Sequence, residues 1–241
     1  MRKILITNDD GVFAPGLIRL AQAALKFGEV WVVAPDSQRS AMSHSISLRG
    51  SFELWEVEFP VKGVHAYACT GTPADCVRVG VLNVVPGKPD VVFSGINYGY
   101  NVATDLQYSA TVGAAFEAAF QGIHAVAFSE GFTELDDSVG EVTDKYIEQL
   151  MGELIDEPLS NIEIHNVNFP ACSIEQCRGI KYGCRVSDGV FYKDRYDITP
   201  NENGRSTCTV VGERRWEADE GTDLRAVLDN YIAIGTARNI S

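Results

Sequence analysis

The stretch Lys3-Ile4-Leu5-Ile6-Thr7-Asn8-Asp9-Asp10-Gly11 runs from a short apolar segment straight into a polar turn. The apolar part reads as a strand, and the turn residues mark its end. The same arrangement recurs at Val30 to Ala34, Val64 to Cys69, Val91 to Ser94 and Ala125 to Phe128. Between several of these lie helical patterns. Leu17, Leu20, Ala21, Ala24 and Leu25 follow i, i+3, i+4, i+7, i+8 spacing, and Val112, Ala115, Phe116, Ala119 and Phe120 repeat it. Strands alternating with amphipathic helices imply right-handed βαβ units, so the fold class is α/β, with a mostly parallel sheet flanked by helices.

Two regions depart from that rhythm. Ser47 to Phe59 alternates charged and aromatic residues, which predicts a hairpin or extended arm near 47–60, inserted outside the main core. A helix from about Val142 to Ile155 and a strand from Ile162 to Asn168 then close a core spanning 1–170. Cys172 to Trp216 is rich in Gly, Asp and Tyr without a clear period. The segment 171–241 therefore reads as a hairpin-rich C-terminal extension of the same domain, ending in a turn or helix around Asp223 to Asp229 and a strand from Tyr231 to Gly235.

The 241 residues, 45% of them hydrophobic, are enough to bury a full core without covalent staples. The 20 Lys+Arg against 33 Asp+Glu give a formal net charge of -13, which argues against duplex nucleic acid, whose binders need cationic surface. A small dianionic phosphate needs only a local positive site, such as a metal ion or a helix N-terminus. The apolar stretch Ile4 to Ile6 is far too short for a signal peptide or membrane span, so a cytoplasmic location is expected. The six cysteines form no CxxC pair, and reduced, mostly buried thiols are expected.

In open α/β sheets ligands bind beyond the carboxyl ends of the strands. There the first strand empties into Thr7-Asn8-Asp9-Asp10-Gly11, the second into Pro35-Asp36-Ser37-Gln38-Arg39-Ser40, and the fourth into Ser94-Gly95-Ile96-Asn97. Adjacent aspartates repel unless a cation joins them. Carboxylate, hydroxyl and amide oxygens favour Mg²⁺, Mn²⁺ or Ca²⁺ over zinc. Asp10 could instead support the Gly11 turn or cap the helix beginning near Pro15, and Ser40 and Asn97 taken singly are ordinary turn residues. Tyr108-Ser109-Ala110-Thr111-Val112-Gly113 opens the second helix either as an anion site or as a plain N-cap, and Thr72 with Pro73 reads as a helix start without chemistry. Of four scattered histidines, His44 alone is a candidate proton donor. Tyr98, Tyr100 and Tyr108 either stack on a base or pack. No G-x-S-x-G, Walker A or G-x-G-x-x-G motif is present.

The segments ITNDDG, VAPDSQRSAMSHSIS, ACTGTPADCV, PDVVFSGIN and YSATVGAAFEA, with NVNFP and EGTDLRAVLDNYIAI further on, closely resemble the SurE family of survival-protein nucleotidases. The resemblance spans nearly the whole chain and implies a Rossmann-like fold with one divalent cation at Asp9, Asp10, Ser40 and Asn97. It also implies hydrolysis of nucleoside 5'- and 3'-monophosphates, and for some members polyphosphate. The partner it implies is a second copy, in a homodimer with exchanged C-terminal segments that could pair into a tetramer. Asp9, Asp10 and Asn97 would serve catalysis, and Ser109, Ala110 and Thr111 would contact substrate phosphate. Ala110 stands where the family usually has glycine, and Ala103-Thr104 replaces a common Gly-Asp. The rivals are a nucleotide- or metal-binding module without turnover and a metal phosphatase for other small phosphoesters.

Overall fold

The computed structural model describes residues 1–132, 140–201 and 203–239. Its main sheet has nine strands, in the order β3-β4-β2-β1-β5-β6-β7-β11-β8. The strands are β1 (Lys3–Thr7), β2 (Glu29–Pro35), β3 (Leu54–Glu56), β4 (Val64–Cys69), β5 (Val91–Tyr98), β6 (His124–Glu130), β7 (Glu163–Phe169), β8 (Ile180–Lys181) and β11 (Ile232–Arg238). The run from β4 to β7 is parallel throughout; β3 and β11 pair antiparallel to β4 and β7. The mostly parallel α/β sheet predicted from the alternation is the one observed.

Alternation along β1 shows how the sheet is covered. Ile4 and Ile6 face a cluster built with Leu17 and Leu20 of α1 (Pro15–Ala24) and Leu150 and Met151 of α4 (Glu141–Leu154). Leu5 faces the other way, toward Cys76 and Val77 of α2 (Pro73–Val79) and Val112 and Phe116 of α3 (Ala110–Phe120). Both layers are fully buried, which is what a parallel sheet with helices on both faces requires. Helix α2 starts as the sequence predicts. Thr72 Oγ1 accepts from Asp75 N–H while the Asp75 carboxylate accepts from Thr72 N–H, with Pro73 in the first turn.

The chain builds outward from β1 through β2 to β4, then returns to lay β5 on the other side of β1. Strand order therefore reverses between β1 and β5, and at such a switch point the connecting segments part to leave a crevice beyond the strand ends.

One expectation needs correction. The insert near 47–60 does not stand outside the core: it contributes β3, which joins the edge of the main sheet beside β4. Beyond residue 170, β8 joins that sheet, and so does β11, which α5 (Asp223–Leu228) precedes. A separate hairpin remains, β9 (Tyr192–Pro200) paired with β10 (Ser206–Arg214), at the place expected to be rich in hairpins.

Candidate active site

The turn after β1 is shaped by Asn8. Its side chain accepts from Gly11 N–H and donates to Gly11 C=O, closing the loop around the two aspartates. Gly11 sits at φ +111°, a conformation that glycine adopts without steric cost. The aspartates are thereby freed from turn duty. Asp10 does not cap α1, whose N-cap is Ala14 without a side-chain bond.

Asp9 is buried, and its carboxylate accepts a 2.6 Å hydrogen bond from the Thr111 hydroxyl as well as a bond from Thr111 backbone N–H. The positive end of α3 therefore already holds an anion, the protein's own Asp9. Burial pushes the Asp9 carboxyl up to about 6; the Thr111 bonds pull it back in part, and the charge of Asp10 adds to the rise. Asp10 is also raised, mainly by burial, against bonds from Tyr98 N–H at 3.2 Å and the Gln38 amide. Gln38 donates in turn to Ser40 Oγ at 3.1 Å, so one amide links Asp10 to the loop after β2. That loop is fixed to β1 by Arg39 N–H, which donates to Asp9 C=O.

Asn97 lies inside β5, not in a loop beyond it. Pairing of β5 with β6 shifts register between Ser94 and Asn97, and this irregularity carries the strand on to Tyr98. The Asn97 amide nitrogen donates to Gly99 C=O at 2.8 Å, leaving its oxygen as the donor atom a cation would take. Asp9, Ser40 and Asn97 line one cavity of about 610 Å³, and Asp10 is tied to the same rim through Tyr98 and Gln38. Among the described residues no ion pair involves Asp9 or Asp10, and no group of three or more His, Cys, Asp or Glu forms a metal site. Two carboxylates without a counter-cation, beside a hydroxyl and an amide oxygen, fit a hard divalent ion in size of charge and in ligand type.

The expected phosphate contacts look different in three dimensions. Ser109 caps α3, its hydroxyl accepting from Val112 N–H, while the residue still lines the cavity. Thr111 is buried against Asp9. Ala110 is the first residue of α3 and is not among the positive-φ residues, so glycine is not needed there for backbone conformation. The substitution that does meet a left-handed backbone is Ala103, at φ +54°. His44 is absent from the cavity lining. Its ring pairs with Glu117 Oε2 at 2.9 Å on another side of α3, where Arg78 also meets Glu117 at 3.0 Å, so the proton-donor expectation is not supported.

The same site is widened by loop and hairpin. Asp105 accepts from the N–H groups of Phe191 and Tyr192, and Tyr192, Asp194 and Tyr196 add a hairpin wall. Residues 4–191 match the family model described as survival protein SurE. The chain belongs to the SurE family. It is 37% identical over 231 residues to a protein of Clostridium botulinum named 5'-nucleotidase SurE, covering 96% of this chain and 90% of that one. A 5'-nucleotidase SurE of Flavobacterium psychrophilum is 36% identical over 233 residues, covering 96% and 89%. The crystal structure of the SurE protein from Aquifex aeolicus superposes with a TM-score of 0.83 at 32% identity, covering 99% of this chain and 94% of that one.

Gln38 and Thr111 are the SurE-chain residues that sequence reasoning did not place at the carboxylates. Both sit inside quoted motifs, but nothing in a one-dimensional pattern says that Thr111 reaches back to Asp9, 102 residues away.

Proposed function

We propose that this chain is a divalent-metal-dependent phosphomonoesterase that hydrolyses nucleoside 5'- and 3'-monophosphates to nucleoside and inorganic phosphate. The observation that carries the reading is the carboxylate couple at the switch point, with Asp9 buried, Asp10 half-buried and neither in an ion pair among the described residues, where Asp9, Ser40 and Asn97 line a cavity large enough for a nucleotide. The names of the relatives supply the reaction class.

Asp9, Asp10, Ser40 and Asn97 would hold the ion: Mg²⁺, Mn²⁺ or Ca²⁺ by the hardness of the donors. Once bound, the ion supplies positive charge for the oxygens of the transferring phosphoryl group. The protein's own share is positioning. Thr111 fixes the Asp9 carboxylate through two bonds, Gln38 and Tyr98 fix Asp10, and Ser109, the N-cap of α3, lines the cavity where phosphate would be received. A carboxylate orients the water that forms the new P–O bond as the ester P–O bond breaks. The double anchoring of Asp9 favours this direct attack over an aspartyl-phosphate.

Phosphate release from a panel of nucleoside monophosphates, with each of the three ions, tests the reading. Release should be abolished by EDTA and by Asp9→Asn. Tight nucleotide binding without release would make the chain a binding module, and preference for simple phosphoesters over nucleotides would make it a broader phosphatase.

A homodimer with exchanged C-terminal segments is proposed as well. It is supported by the hairpin's outer half, where Ile198 and Val210 are exposed on one face. Light scattering after gel filtration distinguishes monomer, dimer and tetramer. Among the described residues no helix is long and apolar enough to cross a membrane.

A further inference from the structure

The cavity has two kinds of lining. The oxygen donors Asp9, Ser40 and Asn97 occupy one part; aromatic rings occupy the other, among them Tyr98, Phe132, Tyr192 and Tyr196. Tyr98 and Tyr196 are 60% and 61% exposed although large and mostly apolar, so packing does not account for them. Tyr98 is stacked on Phe132 with centroids 4.9 Å apart at 24°, and the Arg214 guanidinium lies 4.8 Å from the Phe132 centroid. A ring fixed from behind in this way offers a preorganised face. It also sits beside the cation donors in sequence and in space, because Tyr98 follows Asn97 and its N–H holds Asp10.

Tyr196 arrives from the hairpin. Tyr192, Asp194 and Tyr196 alternate along β9 and so share a face, and all three line the cavity. Gly212 is the cross-strand partner of Asp194 and Val210 that of Tyr196, which leaves this face without a bulky residue opposite Asp194. The hairpin begins at residue 192, just past the segment 4–191 matched by the family model, so the ring wall is built partly from outside the shared cation site.

We propose that Tyr98, backed by Phe132, and Tyr196 form a nucleobase platform, which makes the hairpin a specificity element selecting nucleotides over phosphomonoesters that lack a base. The proposal rests on the phosphomonoesterase reading for its substrate and deepens it. Stacking on an aromatic ring is sequence-tolerant, since every base has a π-face, so broad acceptance of purines and pyrimidines is expected with the larger purine ring favoured.

The test compares AMP with ribose 5-phosphate in wild type, Tyr196→Ala and Tyr196→Phe, with Mn²⁺ present. Tyr196→Ala should lower kcat/KM for AMP about tenfold, chiefly through KM, and leave ribose 5-phosphate within twofold. Tyr196→Phe should retain the wild-type values. Equal loss on both substrates, or no loss on AMP, overturns the platform. Calorimetry with adenosine in EDTA separates this outcome from failure of the phosphatase reading: adenosine should bind wild type without metal and bind Tyr196→Ala about tenfold more weakly, whether or not either ester is hydrolysed. Absent binding, or equal binding to both, overturns the platform; Tyr98→Leu repeats the measurement should the hairpin lose its structure in Tyr196→Ala.

Discussion

Asp9 is held at a cost. Its carboxyl is raised from 3.8 to about 6 by burial, so the folded state binds that proton more tightly than the unfolded chain does. A raised acid destabilises the fold when ionised: the penalty is complete above about pH 6, shrinks as pH falls, and is gone below the unfolded value. At roughly 1.4 kcal/mol per pH unit the penalty is on the order of 3 kcal/mol. Asp9→Asn should therefore make the metal-free protein more stable at pH 7.5 by about 2 kcal/mol, with the advantage fading toward pH 4, while phosphate release falls by about 100-fold or more. Denaturant melts at the two pH values check the first part, and equal stability of the two proteins at pH 7.5 would contradict it. Thr111→Val removes the hydroxyl that orients Asp9 and should weaken cation affinity about 10- to 100-fold in a metal titration with little change in fold. The sequence placed Asp9, Asp10, Ser40 and Asn97 after apolar runs, but Ser40 and Asn97 taken singly are ordinary turn residues, and it was the resemblance to the SurE family that joined the four into one proposed cation site. It left Thr111 as a phosphate contact, since hydroxyls at a helix start look alike whether they face substrate or a buried carboxylate.

At the scale of elements, α3 fits closely against the loop after β2. A methyl group on Gly113 would lie 2.6 Å from Ser43 C=O and 2.8 Å from His44 Cα, both backbone atoms, so helix and loop approach as only glycine permits. The loop in question follows Ser40 directly. Gly113→Ala should cost about 2 kcal/mol, seen as a Tm lowered by roughly 4–8 °C, and should weaken cation binding by moving Ser40. An unchanged Tm would mean the loop is free to shift. The strands and helices of the core were readable because their apolar spacing is dictated by burial on two faces. Strand β5 was read four residues short of its end, at Ser94 instead of Tyr98, because a register shift carries no hydrophobic signature. The segment 47–60 misled for a related reason: alternation signals a strand but not its partner, and here the partner is β4 of the main sheet. In the loop after Asn101, Ala103 occupies a left-handed backbone that would cost it about 1 kcal/mol or more relative to glycine, yet its methyl is fully buried beside Val102 and Leu224, which offsets part of that cost.

For the whole molecule, charge works against the proposed chemistry. A net charge of -13 repels a phosphate dianion at every distance beyond the cation's reach. Screening that field should speed encounter, so kcat/KM for a nucleoside monophosphate should rise by about twofold or more as monovalent salt goes from about 10 to 150 mM, with the divalent ion saturating. A fall over that range would point to a local cationic funnel instead. The parallel order of the strands could be anticipated from the chain, but the way β8 and β11 rejoin the sheet could not, because return of a distant segment is decided by which edge remains open. The bridge from the end of β1 to the start of α3, made by Asp9 and Thr111, has a last consequence. An ion that settles on Asp9 binds the native chain and not the unfolded one, so it acts as a ligand of folding. Melting temperature should climb with the logarithm of free divalent-ion concentration above the dissociation constant, and protein purified in chelating buffer should be the quickest to be cut by a protease.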